Sequence, residues 1–144
     1  MKSRAMLLMA GLVMVACSGM QPVQVATGDR CFRCRKIIAE PRVAAEIVDK
    51  SGQAYKFRTV GCMAKFIKAN PNQQFDNIFA TDFASGRLVK VSAVQFVPTM
   101  IGEGPERALD YVAYFAQQGA IEAAQREKTT PVSWDGVLSA ATAN

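Results

Sequence analysis

Residues 42–70 change their hydrophobic period part-way, and that change narrows the fold more than any other stretch. "RVAAEIVD", 42–49, is β-branched and roughly alternating, and "KSGQ" after it is a turn signal. "AYKFRTV", 54–60, places Tyr55 and Phe57 on one face and Lys56 and Arg58 on the other. Two alternating runs around a short polar turn predict a β-hairpin. "GCMAKFIKAN", 61–70, then takes up helical spacing through Met63, Phe66 and Ile67, and Pro71 stops it. The first unit thus reads β-β-α.

The second half offers the same order. "NIFATDF", 77–83, is a strand and "ASGR" a turn, and "LVKVSAVQFVPT", 88–99, is β-rich. "PERALDYVAYFAQQG", 105–119, reads as an amphipathic helix. Pro105 stands at its first position, Gly119 at its C-terminal cap, and Leu109, Val112, Ala113 and Ala116 form its buried stripe. The helical pattern continues through Ala120–Glu127. These elements predict an α+β chain of two consecutive ββα units, residues 28–72 and 73–128, forming one compact body. The tail, 129–144, holds the only Trp, and Trp134, Val137 and Leu138 are expected to pack on the body, with the last six residues loose.

The N-terminus bears on compartment. "MKSRA" carries Lys2 and Arg4 and no acid; an uncharged run, "MLLMAGLVMV", and small residues follow. This is the layout of a secretory signal, and the apolar run is shorter than the ~20 residues of a spanning helix. The stretch ending at Cys17 resembles a bacterial lipoprotein box, with Met14 at the position three before the cysteine. That resemblance implies a signal peptide over 1–16, a lipidated Cys17 and a tether over 17–27. The chain is then lipid-anchored in the bacterial cell envelope and faces the periplasm. Ser18 resembles an outer-membrane sorting signal. Without Lys2 and Arg4 the net charge falls from +5 to +3, too small and scattered to argue for nucleic acid.

The chain has no histidine. This excludes Ser-His and Cys-His nucleophile pairs, mixed Cys/His zinc sites and c-type haem attachment, which needs His where Arg35 stands. Beyond Cys17 the cysteines are Cys31, Cys34 and Cys62. An odd number in an exported chain leaves one thiol over if a disulfide forms. Cys62 lies in the first turn of the expected helix, where free N–H groups and the helix dipole favour an anion; otherwise it is a small buried hydrophobe. Met63 follows it, with core packing as the competing role. Met100 lies in a Gly-bearing loop, "PTMIGEG". Arg30, Arg33, Arg35 and Lys36 surround the first pair and favour thiolate over thiol. Thiolate and thioether sulfur without histidine selects Cu(I), whereas zinc and iron–sulfur centres prefer four thiolates or Cys/His mixtures, for which three thiolates are too few. Two rivals stand beside it. One is a thiol–disulfide lipoprotein using Cys31 and Cys34, although "CFRC" follows a tether and not a buried strand. The other is a structural lipoprotein whose cysteines staple and pack.

These residues together resemble a known family. "CFRCRKIIAEPRVAAEIVDKSGQAYKFRTVGCMAKFIK", "FATDFASGRLVKVSAVQFV" and "TMIGEG" are similar to the nitrous oxide reductase accessory lipoproteins, NosL, across about residues 28–120. The upstream C-x-x-C with "GCM" is the most specific part. The resemblance implies a membrane-anchored copper chaperone of two ββα units, not an enzyme. Its metal ligands would come from Cys31, Cys34, Cys62, Met63 and Met100. A copper-receiving periplasmic enzyme would be its partner, with a copper exporter as a second. Three positions depart from the family pattern: Lys36 where a Met is common, Arg58-Thr59 where two aspartates stand, and Thr99-Met100-Ile101 at the "P-M-G" loop.

Overall fold

The computed structural model describes residues 20–143. The expected signal peptide and Cys17 lie outside the described residues. β1 (Ala45–Val48), β2 (Ala54–Phe57) and α1 (Val60–Ala69) follow one another as the change of period predicts. Asp49 makes the turn between the strands. One of its carboxylate oxygens accepts from the Ser51 and Gln53 N–H groups and the Ser51 hydroxyl, and Gly52 supplies a φ of 86°. α1 starts at a Thr59 cap whose hydroxyl accepts the Cys62 N–H.

β3 (Asn77–Thr81) and β4 (Leu88–Lys90) do not begin a separate unit. They extend the first sheet, in the order β2-β1-β3-β4, all neighbours antiparallel. β1 is central and buried along its whole length. One face of this sheet, with Ala45, Ile47 and Phe57, joins Val60, Met63 and Ala64 of α1 in the main core.

β5 (Gln95–Ile101) and β6 (Ala108–Tyr114) form a second, two-stranded sheet, paired from Gln95↔Tyr114 to Ile101↔Ala108. The expected helix over 105–119 is therefore corrected: its central seven residues, Ala108–Tyr114, are strand. Leu109, assigned to a buried stripe, is 66 % exposed, while Ala113 is buried. Spacing alone fitted a helix, but "ALDYVAY" carries β-branched and aromatic residues and pairs residue for residue with β5, and that tertiary context decides. Pro105 instead opens a short 3-10 turn, Gly104–Glu106. α2 (Gln117–Glu127) follows, with Gly119 inside it and not at its cap, and buries Ala120, Ala123 and Ala124 against Val97. The architecture is α+β, and a second ββα sequence is present as β5-β6-α2, with β3 and β4 given to the first sheet.

The two sheets share one core. Phe83 donates its N–H to the Ala113 carbonyl, and Phe115 donates its own to Asp82. α3 (Trp134–Ala140) lays Trp134 against Phe96, with ring centroids 5.7 Å apart, and buries Val137 completely. The expected packing of Trp134, Val137 and Leu138 is present. The last six residues are not all loose: the helix runs to Ala140, and Ala141 packs on the core.

The N-terminal stretch is also more than a tether from residue 23. Val25 is 2 % exposed and packs with Ile38 and Ala44. The Val23 N–H donates to Glu46 at 2.7 Å. Glu46, on the face of β1 away from α1, is fully buried, and its second oxygen has no hydrogen-bond partner. Burial pushes its pKa up, against the Val23 N–H and the Lys56 charge. A carboxyl whose folded pKa is raised costs stability once the solution pH passes its ordinary value, and costs nothing below it. Glu46→Gln should therefore raise the melting temperature at neutral pH, and the gain should vanish below about pH 4. Thermal melts of both proteins across that range check this.

Candidate metal centre

The loop bearing Cys31 and Cys34 is a closed turn. Arg30 and Ile37 form an antiparallel bridge across its neck. Inside it, the Cys31 N–H donates to the Lys36 carbonyl and the Arg35 N–H to the Cys31 carbonyl, both at 2.9 Å. Arg35 makes the return with a φ of 63°, a left-handed conformation uncommon outside glycine. Its guanidinium lies 5.3 Å from the centre of the Phe32 ring. Phe32 anchors the loop: its N–H donates to the Lys56 carbonyl of β2 at 2.7 Å. Its ring meets Tyr55 and Phe66 edge-on at 4.8 and 5.4 Å.

This anchoring carries the pair to the start of α1. Cys31 is wholly buried, Cys62 is 9 % exposed, and Cys34 is half-buried. The three sulfurs all lie within 4.8 Å of one another, and Cys31 and Cys62 are 3.4 Å apart. All three thiols are free. Metal–thiolate bonds of about 2.3 Å put three sulfurs sharing one ion about 4 Å apart, so the cluster is close to a trigonal sulfur site. It contains no carboxylate, and the chain has no histidine, so the donor set is soft throughout.

The protons of this cluster are unevenly held. Cys31 is pushed down to about 5, first because the Cys62 thiol donates to it and then by the N–H groups of Cys34 and Arg58; burial opposes the fall. Cys62 is pushed up, by donating to Cys31, by burial and by the charge of its neighbours. Two sequence expectations change here. The cause of the low Cys31 value is direct hydrogen bonding and not the charge of Arg30, Arg33 and Arg35. Nor does the start of α1 stabilise a Cys62 anion, because its N–H groups are spoken for: Thr59 takes that of Cys62 at 3.1 Å, and Asp110 takes that of Gly61 at 2.7 Å.

Over the cluster opens a cavity of about 460 Å³, lined by Cys34 and Cys62 and by Arg33, Lys36, Arg58 and Lys65. Lys36 and Arg58 both pair with Glu106, the latter at 3.3 Å. Ile101, Leu109 and Asp110 from the second sheet, and Ala140 and Ala141 from the end of α3, complete the wall. Met63 is fully buried in the same core as Cys31 and Cys62. Met100, 45 % exposed, sits on β5 opposite Leu109 and does not line the cavity. Glu106, Asp110 and α3 carried no sequence signal of proximity, since each arrives from more than forty residues away. Thr59 did carry one, as a β-branched hydroxyl just before the helical run.

No family profile and no curated protein sequence matches the chain. Among solved structures it is similar to the crystal structure of the copper chaperone NosL from Shewanella denitrificans. The TM-score is 0.66 at 12 % identity, over 81 % of this chain and 95 % of that one. At that identity the likeness is one of fold, and the resemblance to NosL drawn from sequence motifs is present in the fold as well.

Cys31 should therefore titrate as a thiolate with a midpoint near 5, visible as ultraviolet thiolate absorbance in the metal-free protein, and Cys62→Ala should move that midpoint upward. Because the folded value lies below the ordinary 9.0, the stability advantage of the parent over Cys31→Ser should grow from pH 5 towards pH 9. A pH-independent difference in urea unfolding would contradict it.

Proposed function

We propose that this chain is a non-enzymatic Cu(I)-binding metallochaperone, lipid-anchored through Cys17, that delivers copper to a periplasmic copper enzyme. The observation that carries this is the cluster of three thiols within 4.8 Å, with two of them, Cys34 and Cys62, lining an open cavity and Cys34 the more exposed. Cys31 and Cys62 are the retaining ligands, and Cys34 is the one a partner can reach. The fold shared with a protein described as a copper chaperone supports the choice of metal. The motif resemblance to NosL points to maturation of nitrous oxide reductase as the destination, with a copper exporter as the source. Of the further sulfurs in that reading, exposed Met100 suits a relay to a partner better than buried Met63 does.

A dithiol–disulfide role for Cys31 and Cys34 fits less well. Exchange requires access to the attacking sulfur, and Cys31 has no exposed surface. No helix among the described residues is long and apolar enough to cross a membrane; in this proposal the chain reaches the bilayer through the lipid on Cys17.

Anaerobic titration of the reduced protein with Cu(I) against a chromogenic chelator tests the proposal. One ion per chain should bind to the parent, and Cys31→Ser combined with Cys34→Ser should weaken binding by about 100-fold or more, each ligand removed costing at least the 10–100-fold typical of lesser outer-shell changes. Binding of the double variant at parental strength would end the proposal. Cys17→Ser should release the chain from the membrane fraction without changing Cu(I) affinity.

A further inference from the structure

Asp110 belongs to β6 in the second sheet, yet its Oδ1 accepts the N–H of Gly61, one residue before Cys62, at 2.7 Å. The same oxygen accepts the Tyr111 N–H at 2.8 Å, which fixes the carboxylate on its own strand. The approach requires glycine at 61: a β-carbon there would lie 2.8 Å from both carboxylate oxygens, well inside contact. A carboxylate at a helix N-terminus satisfies an otherwise orphan N–H and meets the positive end of the helix dipole. The loop with Cys31 and Cys34 is fixed separately, to β2 through Phe32. Cys62 is thus held by the packing of α1 on the first sheet and, one residue away, by the Asp110–Gly61 bond, which ties the helix start to the second sheet.

We propose that Asp110 is a positioning residue for the thiol cluster: acting through Gly61, it sets the spacing of Cys62 from the Cys31–Cys34 loop and so decides whether a bound soft ion receives three sulfurs or two, a role that rests on the copper-binding reading above. With Cys31 and Cys62 at 3.4 Å and about 4 Å needed around a trigonal ion, a small displacement of the helix end separates the two outcomes.

The test uses the full chain with Asp110→Ala, Asp110→Asn and Gly61→Ala. Asn keeps an oxygen acceptor in place, Ala removes it, and a methyl at 61 drives the carboxylate away. Three quantities are read: Cu(I) affinity by chelator competition, sulfur coordination number by X-ray absorption, and, without metal, the rate at which diamide joins Cys31 to Cys62. Diamide takes up two electrons from the sulfurs, the Cys62 thiol proton and one proton from water as the disulfide forms, and mass spectrometry follows the product. Asp110→Ala should lose about 10–100-fold in affinity, as outer-shell changes do, fall from about three sulfurs to two, and cross-link several-fold more slowly. Asp110→Asn should restore all three readouts, and Gly61→Ala should behave like Asp110→Ala. Parental values in Asp110→Ala would overturn the assignment, and so would parental cross-linking in Gly61→Ala should Asp110→Ala fail to fold. If the parent itself binds no Cu(I) through its thiols, the copper reading falls, and the cross-linking rates alone decide the role of Asp110.

Discussion

A thiol-to-thiol contact of 3.4 Å, between Cys31 and Cys62, joins the two pieces of chain that make the site. Neither piece brings its sulfur there unaided. Cys31 comes from a loop that has no regular structure of its own and is held by Phe32 in the aromatic cluster beneath it. Cys62 comes from the first turn of a helix, so its place is set by where that helix begins. Loop closure costs entropy, and the aromatic packing and the Phe32–Lys56 backbone bond are the interactions that offset it. Changes in the core below the loop are therefore changes in the spacing of the sulfurs.

The charge around the site is arranged in two shells. At the sulfurs themselves, N–H and S–H donors hold negative charge on Cys31. The cations stand further out, around the cavity, and two of them, Lys36 and Arg58, share Glu106. Under the copper reading this division has a use. A monovalent ion on two or three thiolates leaves a net negative centre, which rim cations offset without touching the sulfurs. Lys36, which replaces a sulfur in the family pattern, joins that rim through Glu106 and leaves ligation to the three cysteines.

Much of the first unit was legible because its information is local. The alternation of Tyr55 and Phe57, the "KSGQ" turn and the Met63–Phe66–Ile67 spacing each lie within a few residues, and β1, β2 and α1 form where they point. The second sheet was misjudged for the converse reason. Leu109, Val112 and Ala113 satisfy a helical stripe, and only the pairing with β5 makes them strand. The Cys31–Cys34 pair and Cys62 were legible as candidate soft ligands by composition and by the absence of histidine, and the structure brings their sulfurs together. That Glu106 and Asp110 flank them was not, since their proximity is a product of how β6 lies against α1. The docking of Val25 was hidden in the same way, since a single apolar residue in a polar stretch carries no period to read, whereas the packing of Trp134, Val137 and Leu138 was legible from their apolar character in the tail.

Burial grades the three thiols, and the gradient suits transfer better than storage. A site enclosed on every side would hold its ion tightly but release it only when the protein opened. Here Cys31 has no exposed surface, Cys62 almost none, and Cys34 faces a cavity of about 460 Å³. Under the copper-chaperone reading, an incoming sulfur would approach from the Cys34 side and replace that ligand first, while the buried pair would keep hold of the ion until the partner supplied a second bond. The wall on that side is apolar at Ile101 and Leu109 and charged at Lys36, Arg58 and Glu106. The second sheet and α3 supply Ile101, Leu109 and Ala140 to this wall, and the Cys31–Cys34 loop and the turn before α1 supply Lys36 and Arg58.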